Sequence, residues 1–251
     1  MGLTIHYKLR APARATETTI RKLVEGMRAR AVAMQRAGRV EAVGAIKASA
    51  KDFFWLSEWL MIREDEHSTR GVEVPVESGL VFTVTLGEGS EPLRLGLCQY
   101  PTRVLDAGTG RMRVVRRSGW RLSAFCKTQY ASLHGWENFH RCHTAAVELL
   151  AGLSELGLKV EITDEGEYWP GRDEAGLRCK IDQYNGLVAG LAGMFKDAND
   201  DEDDSGIAAV QSPIFAHPQF ERIEAEGHAA NADHLAAAKE ALRAVKRKMK
   251  E

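Results

Sequence analysis

The chain has 251 residues, of which 44% are hydrophobic and 27% charged, and its formal net charge is −1. That composition belongs to a soluble globular protein with enough apolar material for one large or two smaller cores, and it excludes collagenous, low-complexity and globally basic chains. The near-neutral total conceals segregation: residues 1–50 carry ten Lys/Arg against three Glu, RMRVVRRSGWR (111–121) holds five arginines, and DANDDEDD (197–204) is a compensating acidic block.

In chain order, MGLTIHYKLR has an early charge and no apolar h-region, and no run of about 18 apolar residues follows anywhere, so neither a signal peptide nor a membrane span is expected. The sixth residue, His6, is not the Ser or Thr of a myristoylation signal. Leu3, Ile5, Tyr7 and Leu9 alternate with polar residues, the period of a half-buried strand. Thr16 suits a helix N-cap, and Ile20, Leu23, Val24, Met27, Ala31 and Met34 then recur at steps of three and four. A strand over 39–48 would complete a β-α-β unit. DFFWLSEWLMI (52–62) is apolar on both strand faces and passes equally as a short buried helix, the reading preferred on pattern. Residues 80–86 and LRLGLCQY alternate on either side of the turn GEGSEP and predict an antiparallel pair. Strands at 112–117 and through GWRLSAFCKTQY would continue the meander. A helix over 136–156, a strand LKVEITD (158–164), the loop EGEYWPGR and a helix over 173–196 follow. Gly186, Gly190 and Gly193 each weaken that last helix by roughly 1 kcal/mol, which implies that another element packs closely against it. An alanine-rich C-terminal helix with Leu235, Ala238, Leu242, Val245 and Met249 has too thin a stripe to stand alone, so it should dock on the domain or on a second subunit.

These elements predict an α+β fold: a mainly antiparallel sheet with helices packed on one face and an appended C-terminal helix. The expected division is an α+β domain over 1–197, with a further split into 1–109 and 110–197 left open, an acidic linker over 198–218, and the terminal helix over 219–251.

The densest chemistry lies in HGWENFHRCH (134–143). On a helical wheel Phe139, Ala146, Leu150 and Leu153 mark the buried side with His143 among them, His140 falls at the margin, and Glu137, Arg141 and Glu148 lie on the wet side, where Glu137 and Arg141 are spaced for an ion pair. Glu137-x-x-His140 and Glu64-x-x-His67 match one element of di-iron bundles, but the two further inward glutamates such a site needs are missing, so no metal site is expected. A buried imidazole needs a partner. Because a helix rises 1.5 Å per residue and a strand about 3.3 Å, the folded-back strand 158–164 should bring Asp164 and Glu165 level with His143. In GWRLSAFCKTQY the alternation sets Phe125, Lys127 and Gln129 on one face and Leu122, Ala124, Cys126 and Thr128 on the other, and the first set is expected to approach the helix. Lys127, Gln129, His143, Asp164, Glu165 and Arg172 would then converge on one corner. A His with a carboxylate and a Lys can act as acid and base, since mutual charge moves each pKa toward neutrality; the alternative is a structural bridge between helix and strand.

The runs GEGSEPLRLGLCQYP, FCKTQYAS, NFHRCHTAAVELL and ELGLKVEITDEGEYWPGRD resemble a group of uncharacterised bacterial proteins with no assigned activity, over about 77–197. The resemblance implies importance for the positions Lys127, Gln129, Arg141, Cys142, His143, Asp164, Glu165, Trp169 and Arg172 without naming a reaction. His140 stands where that group has an aliphatic residue.

Other signals are weaker. DEDDSG (201–206) copies the start of a calcium loop, but its twelfth position is Ser212 in place of the bidentate Glu. The four cysteines form no C-x-x-C pair, and no P-loop, G-x-G-x-x-G, G-x-S-x-G or H-E-x-x-H is present. The sequence does not identify a cofactor. The expectation is a cytoplasmic binding or regulatory protein that holds an anionic or protein partner through the polar corner and basic surface, with Gln129, Arg141, Trp169 and Arg172 as binding residues. The rivals are a hydrolase or transferase using His143, Asp164, Glu165 and Lys127, and a nucleic-acid-binding protein using the arginine clusters and Trp120. A homo-oligomer through 219–251 is a further expectation.

Overall fold

The computed structural model describes residues 3–48, 56–62, 70–200, 212–233, 235–238 and 240. A six-stranded antiparallel sheet has the order β10-β1-β9-β6-β5-β2, from β1 (Thr4–Arg10), β2 (Ala42–Val43), β5 (Ser78–Thr85), β6 (Leu93–Tyr100), β9 (Gly119–Lys127) and β10 (Lys159–Asp164). Helix α1 (Glu17–Arg36) lies against β5 and β6, and α2 (Trp136–Gly152) against β10. The fold is α+β, with helices on one face of a mainly antiparallel sheet.

β1 lies one strand in from the β10 edge, paired on both sides, and its burial alternates almost residue by residue. Leu3, Ile5, Tyr7 and Leu9 are almost fully buried, while His6, Lys8 and Arg10 are exposed. Ile5 sits opposite both Asp164 and Cys126, and Tyr7 opposite both Ile162 and Ala124. Paired residues share a face, so Asp164, Ile162, Cys126 and Ala124 all point toward the helices. α1 begins where expected: Thr16 Oγ1 accepts from Thr19 N at 3.2 Å, and Ile20, Val24, Met27 and Ala31 form its buried stripe.

Several elements differ from the sequence reading. The segment expected as a strand over 39–48 is reduced to Ala42–Val43 with an isolated bridge at Lys47. In 52–62 the preferred helix gives way to strand β3 (Glu58–Met61), paired with β4 (Gly71–Val74) outside the main sheet; residues 52–55 lie outside the described residues. The strand expected at 112–117 is β8 (Arg111–Val114), which pairs with β7 (Arg103–Asp106) as a separate hairpin and not with the meander. Asp106 organises that hairpin, accepting from Arg70, Arg113 and Gly108 N. Strand β9 ends at Lys127, and Gln129 opens a 3-10 turn (Gln129–His134).

The glycine-rich helix α3 (Glu174–Asp200) explains its own composition. Helix α4 (Phe220–Ala230) crosses it so closely that a Cβ on Gly227 would stand 1.9 Å from the Gly186 carbonyl oxygen. Only two bare backbones can approach in this way. The described start of the C-terminal region docks within the chain: Ile223, Gly227 and Leu235 are buried, and Leu235 lies over Gly190. The helix breaks at Asn231 instead of running on without interruption, while Leu242, Val245 and Met249 lie outside the described residues. So do most of the acidic linker, the calcium-like loop over 201–211, and Glu64 and His67. Among the described residues no helix is long and apolar enough to cross a membrane.

Candidate functional site

Helix α2 carries Phe139, His143, Ala146 and Leu150 at helical spacing, all fully buried. His143 thus enters the core one turn after Phe139, and the strand alternation sends Asp164 to meet it. His143 Nε2 is 3.2 Å from Asp164 Oδ2, with both side chains fully buried. The comparison of helix and strand rise therefore holds to within contact distance. On the other side of the ring, Thr128 Oγ1 lies 2.9 Å from His143 Nδ1, and Thr128 is itself 0% exposed. An ionised Asp164 can only accept, so Nε2 carries the hydrogen, and the threonine hydroxyl completes the ring's bonding at Nδ1.

Asp164 also organises the loop that follows it. Its Oδ1 accepts from Gly166 N at 2.8 Å, and its Oδ2 from Trp169 N at 3.0 Å. Burial pushes the Asp164 carboxyl up, but the hydrogen bond and charge of His143 and the two backbone N–H groups outweigh it and hold the pKa below the ordinary range. A Cβ on Gly166 would stand 3.1 Å from His143 Cε1 and 2.8 Å from Leu177 Cδ1, so this residue seals the ring edge because it has no side chain. Tyr168 packs edge-on to the imidazole at 6.1 Å. Glu167 and Arg172 hold left-handed backbones, with φ of 57° and 60°, in a loop fixed from both ends.

Hydroxyl, imidazole and carboxylate in a row have the make-up of a nucleophile relay, yet they are closed to solvent on every side. A reacting atom needs a place about 3 Å from the nucleophile, and Thr128 offers none. What the row does well is staple three elements, β9, α2 and β10, and shape the loop over 164–172.

The other expected residues separate. Lys127 faces away from His143, on the bare side of the sheet, with Nζ 6.0 Å from the Phe125 ring. The face of β9 that meets the helices is the one carrying Ala124 and Cys126, opposite to the expectation, and Thr128 occupies the place expected of Lys127. Glu165 alternates to the bare side too, accepting from Thr4 N at 2.9 Å and lying 3.6 Å from His6. Gln129 is fully buried; it accepts from Leu3 N and donates to Asn185 Oδ1 at 3.2 Å, tying the 3-10 turn to β1 and α3. Arg141 does not pair with Glu137. It donates to the Leu86 carbonyl at 2.6 Å and to Asn138 Oδ1 at 2.9 Å, and Glu41 lies at 3.7 Å. In the arginine-rich stretch, Arg113 is bound by Asp106, Arg121 is buried against Glu58, and Trp120 is half-buried.

A cleft of about 790 Å³ does form on the outer side of α2, lined by the guanidinium groups of Arg39, Arg141 and Arg172 and the imidazoles of His134 and His140. Arg39 comes from the loop after α1 and pairs with Glu148 at 2.8 Å. His140 Nε2 is buried with no hydrogen bond; Glu174 Oε1, 3.5 Å away, completes only a loose ion pair. The Arg172 guanidinium stacks beside Trp169 at 5.4 Å and Tyr168 at 5.8 Å, and among the described residues no carboxylate pairs with it. Arg39 is absent from the expected set because nothing local in sequence links residue 39 to residue 172, whereas His134 opens the stretch 134–143 without an assigned role. Among the described residues no group of three or more His, Cys, Asp or Glu is arranged to hold a metal ion. No protein-family model, curated protein or solved structure matches this chain.

Proposed function

We propose that the protein is a cytoplasmic binding protein that holds a small anionic ligand, of the phosphate or carboxylate class, in the cleft on the outer side of α2. The observation that carries this reading is Arg172. Its guanidinium is presented at the cleft by a left-handed loop residue, backed by two aromatic rings and left without a carboxylate among the described residues, near a buried imidazole nitrogen that lacks a hydrogen bond. Planar guanidinium groups suit two-point recognition of phosphate and carboxylate, and a ligand oxygen would give His140 Nε2 its missing partner. Glu137, Glu148 and Glu174 also line the cleft, which favours a ligand bearing hydrogen-bond donors besides its negative charge.

In this reading His143 and Asp164 are positioning residues. They fix the loop whose far end carries Trp169 and Arg172. The experiment is calorimetric titration with inorganic pyrophosphate as the probe. Wild-type protein should bind; Arg172→Asn, which tolerates the left-handed backbone, should bind at least tenfold more weakly with an unchanged melting temperature. No binding by the wild type, or equal binding by the variant, overturns the proposal.

A further inference from the structure

Strands β10, β1 and β9 turn one face to the helices and leave the other bare. Across that bare face the ladder aligns Lys8 with Ser123 and Glu161, and His6 with Phe125 and Thr163. A shallow hollow of about 390 Å³ lies between these six residues. Phe125 is 44% exposed, and of the five large hydrophobic residues so exposed among the described residues it is the one aromatic. Its ring serves no packing role in the core. His6 lies beside it at 6.1 Å between ring centroids, tilted by 47°.

The charges on this face are arranged as well. Arg10 and Lys8 follow one another on the bare side of β1, about 7 Å apart along the strand, and neither forms an ion pair among the described residues. Lys127 adds a cation at the other end, beside Phe125. The carboxylates present are engaged: Glu161 by Lys159 at 3.1 Å, and Glu165 by Thr4 N and His6. Glu161, across the ladder from Lys8, feels the charge of both Lys8 and Arg10 without closing an ion pair on either, so the face offers a stacking ring beside a column in which cations outnumber the carboxylate they share.

We infer that this bare sheet face binds single-stranded nucleic acid, with a base stacked on Phe125 and His6 and the phosphate backbone running along Lys8 and Arg10. A flat sheet with an exposed ring can stack an unpaired base, whereas a duplex hides its base faces and offers only phosphates. An acidic peptide would use the cations and leave the ring idle. The inference rests on a different surface from the cleft and does not depend on it.

The test is fluorescence anisotropy of the full chain with a labelled oligouridylate and a labelled oligothymidylate of about 12 nucleotides, a duplex of the same length, and a polyglutamate competitor. At least one single strand should bind, with the logarithm of affinity falling linearly with the logarithm of salt concentration. Phe125→Ala should weaken binding by roughly 5- to 150-fold, and Phe125→Trp should retain it. Lys8→Ala with Arg10→Ala should reduce the salt slope by roughly 1 to 2. Arg172→Asn, whatever it does to pyrophosphate binding in the cleft, should leave the affinity for the strand within about twofold of the wild type. All these residues are exposed, so the variants should fold, and thermal melts check that. The inference is overturned if neither strand binds at low salt, if Phe125→Ala binds as the wild type does, if the duplex binds equally well, or if polyglutamate displaces the strand at equal concentration.

Discussion

Replacing His143 by alanine removes the middle of a closed row. Asp164 would keep Gly166 N and Trp169 N but lose its side-chain donor, and Thr128 would lose its partner, all without access to water. Taking the side-chain partner from a buried carboxylate destabilises by about 3–5 kcal/mol, because the charge left behind stays desolvated. For a chain of this length each kcal/mol lowers the melting temperature by about 2–4 °C, so the expected fall is roughly 6–20 °C. Thr128→Val, which preserves shape but strips one hydrogen bond from Nδ1, should cost about 1–3 kcal/mol. Calorimetric or circular-dichroism melts give both numbers. Hydrogen exchange then localises the effect: in His143→Ala, amide protection should fall first at Gly166 and Trp169. A His143→Ala protein that melts within about 2 °C of the wild type would refute the argument that the row is structural.

Acid titration, thiol chemistry and glycine substitution supply further checks. Asp164 and Asp106 both have folded-state pKa values below the ordinary 3.8, so their ionised forms stabilise the fold at neutral pH and that stability is lost as pH falls below 3.8 through the folded values. For Asp106 the hydrogen bond of the Thr109 hydroxyl, followed by those of Arg113 and Arg70, sets that value at about 2. Melting temperature should therefore drop between pH 3.8 and 2, and Asp106→Asn should be less stable at pH 7 yet flatter across that window. Burial pushes the Cys98 and Cys126 thiols up to about 12 and the Cys142 thiol to about 11, while Cys179 is exposed. The native protein should yield one of its four thiols to a disulfide reagent, and all four after denaturation. A fast second thiol would contradict the packing described. Gly227→Ala should undock α4 from α3 and expose it to limited proteolysis, since its Cβ would meet backbone at 1.9 Å; Gly186→Ala, whose nearest contact would be 3.5 Å, should be tolerated. Equal protease resistance of the two variants would count against the close crossing.

The fold was legible wherever one face is buried and the other wet. In β1 and in the stripe of α1, hydrophobic periodicity is a direct record of burial, and the β5–β6 pair follows from a turn between two alternating runs. Legibility failed where burial is two-sided or where pairing is decided at long range. The apolar stretch over 52–62 fits a helix or a strand equally well by pattern, and its described part becomes a strand because β4 is there to pair with it. The strand expected at 112–117 is found at 111–114, but nothing in RMRV says that the partner is β7 and not β9. The three glycines of α3 did signal a close neighbour, although the signal did not identify Gly227 as that neighbour.

At the site, one parity choice decided most of the outcome. The helix-to-strand ruler placed His143 against Asp164 because it depends only on rise per residue, a property of the backbone. Which face of β9 meets α2 depends instead on how that strand registers with β1, and both faces carried plausible residues: Lys127 on one, Cys126 and Thr128 on the other. The apolar side of the alternation, Leu122, Ala124 and Cys126, is the side a helix covers, because burying Lys127 would desolvate a charge. Weighting that rule above the attraction of a lysine near a histidine places Thr128 at Nδ1 and sends Lys127 to the bare face with Phe125 and His6. The same parity that takes the lysine away from the imidazole sets it beside Phe125 and His6, so one strand carries the buried row on one face and the exposed ring and cations on the other.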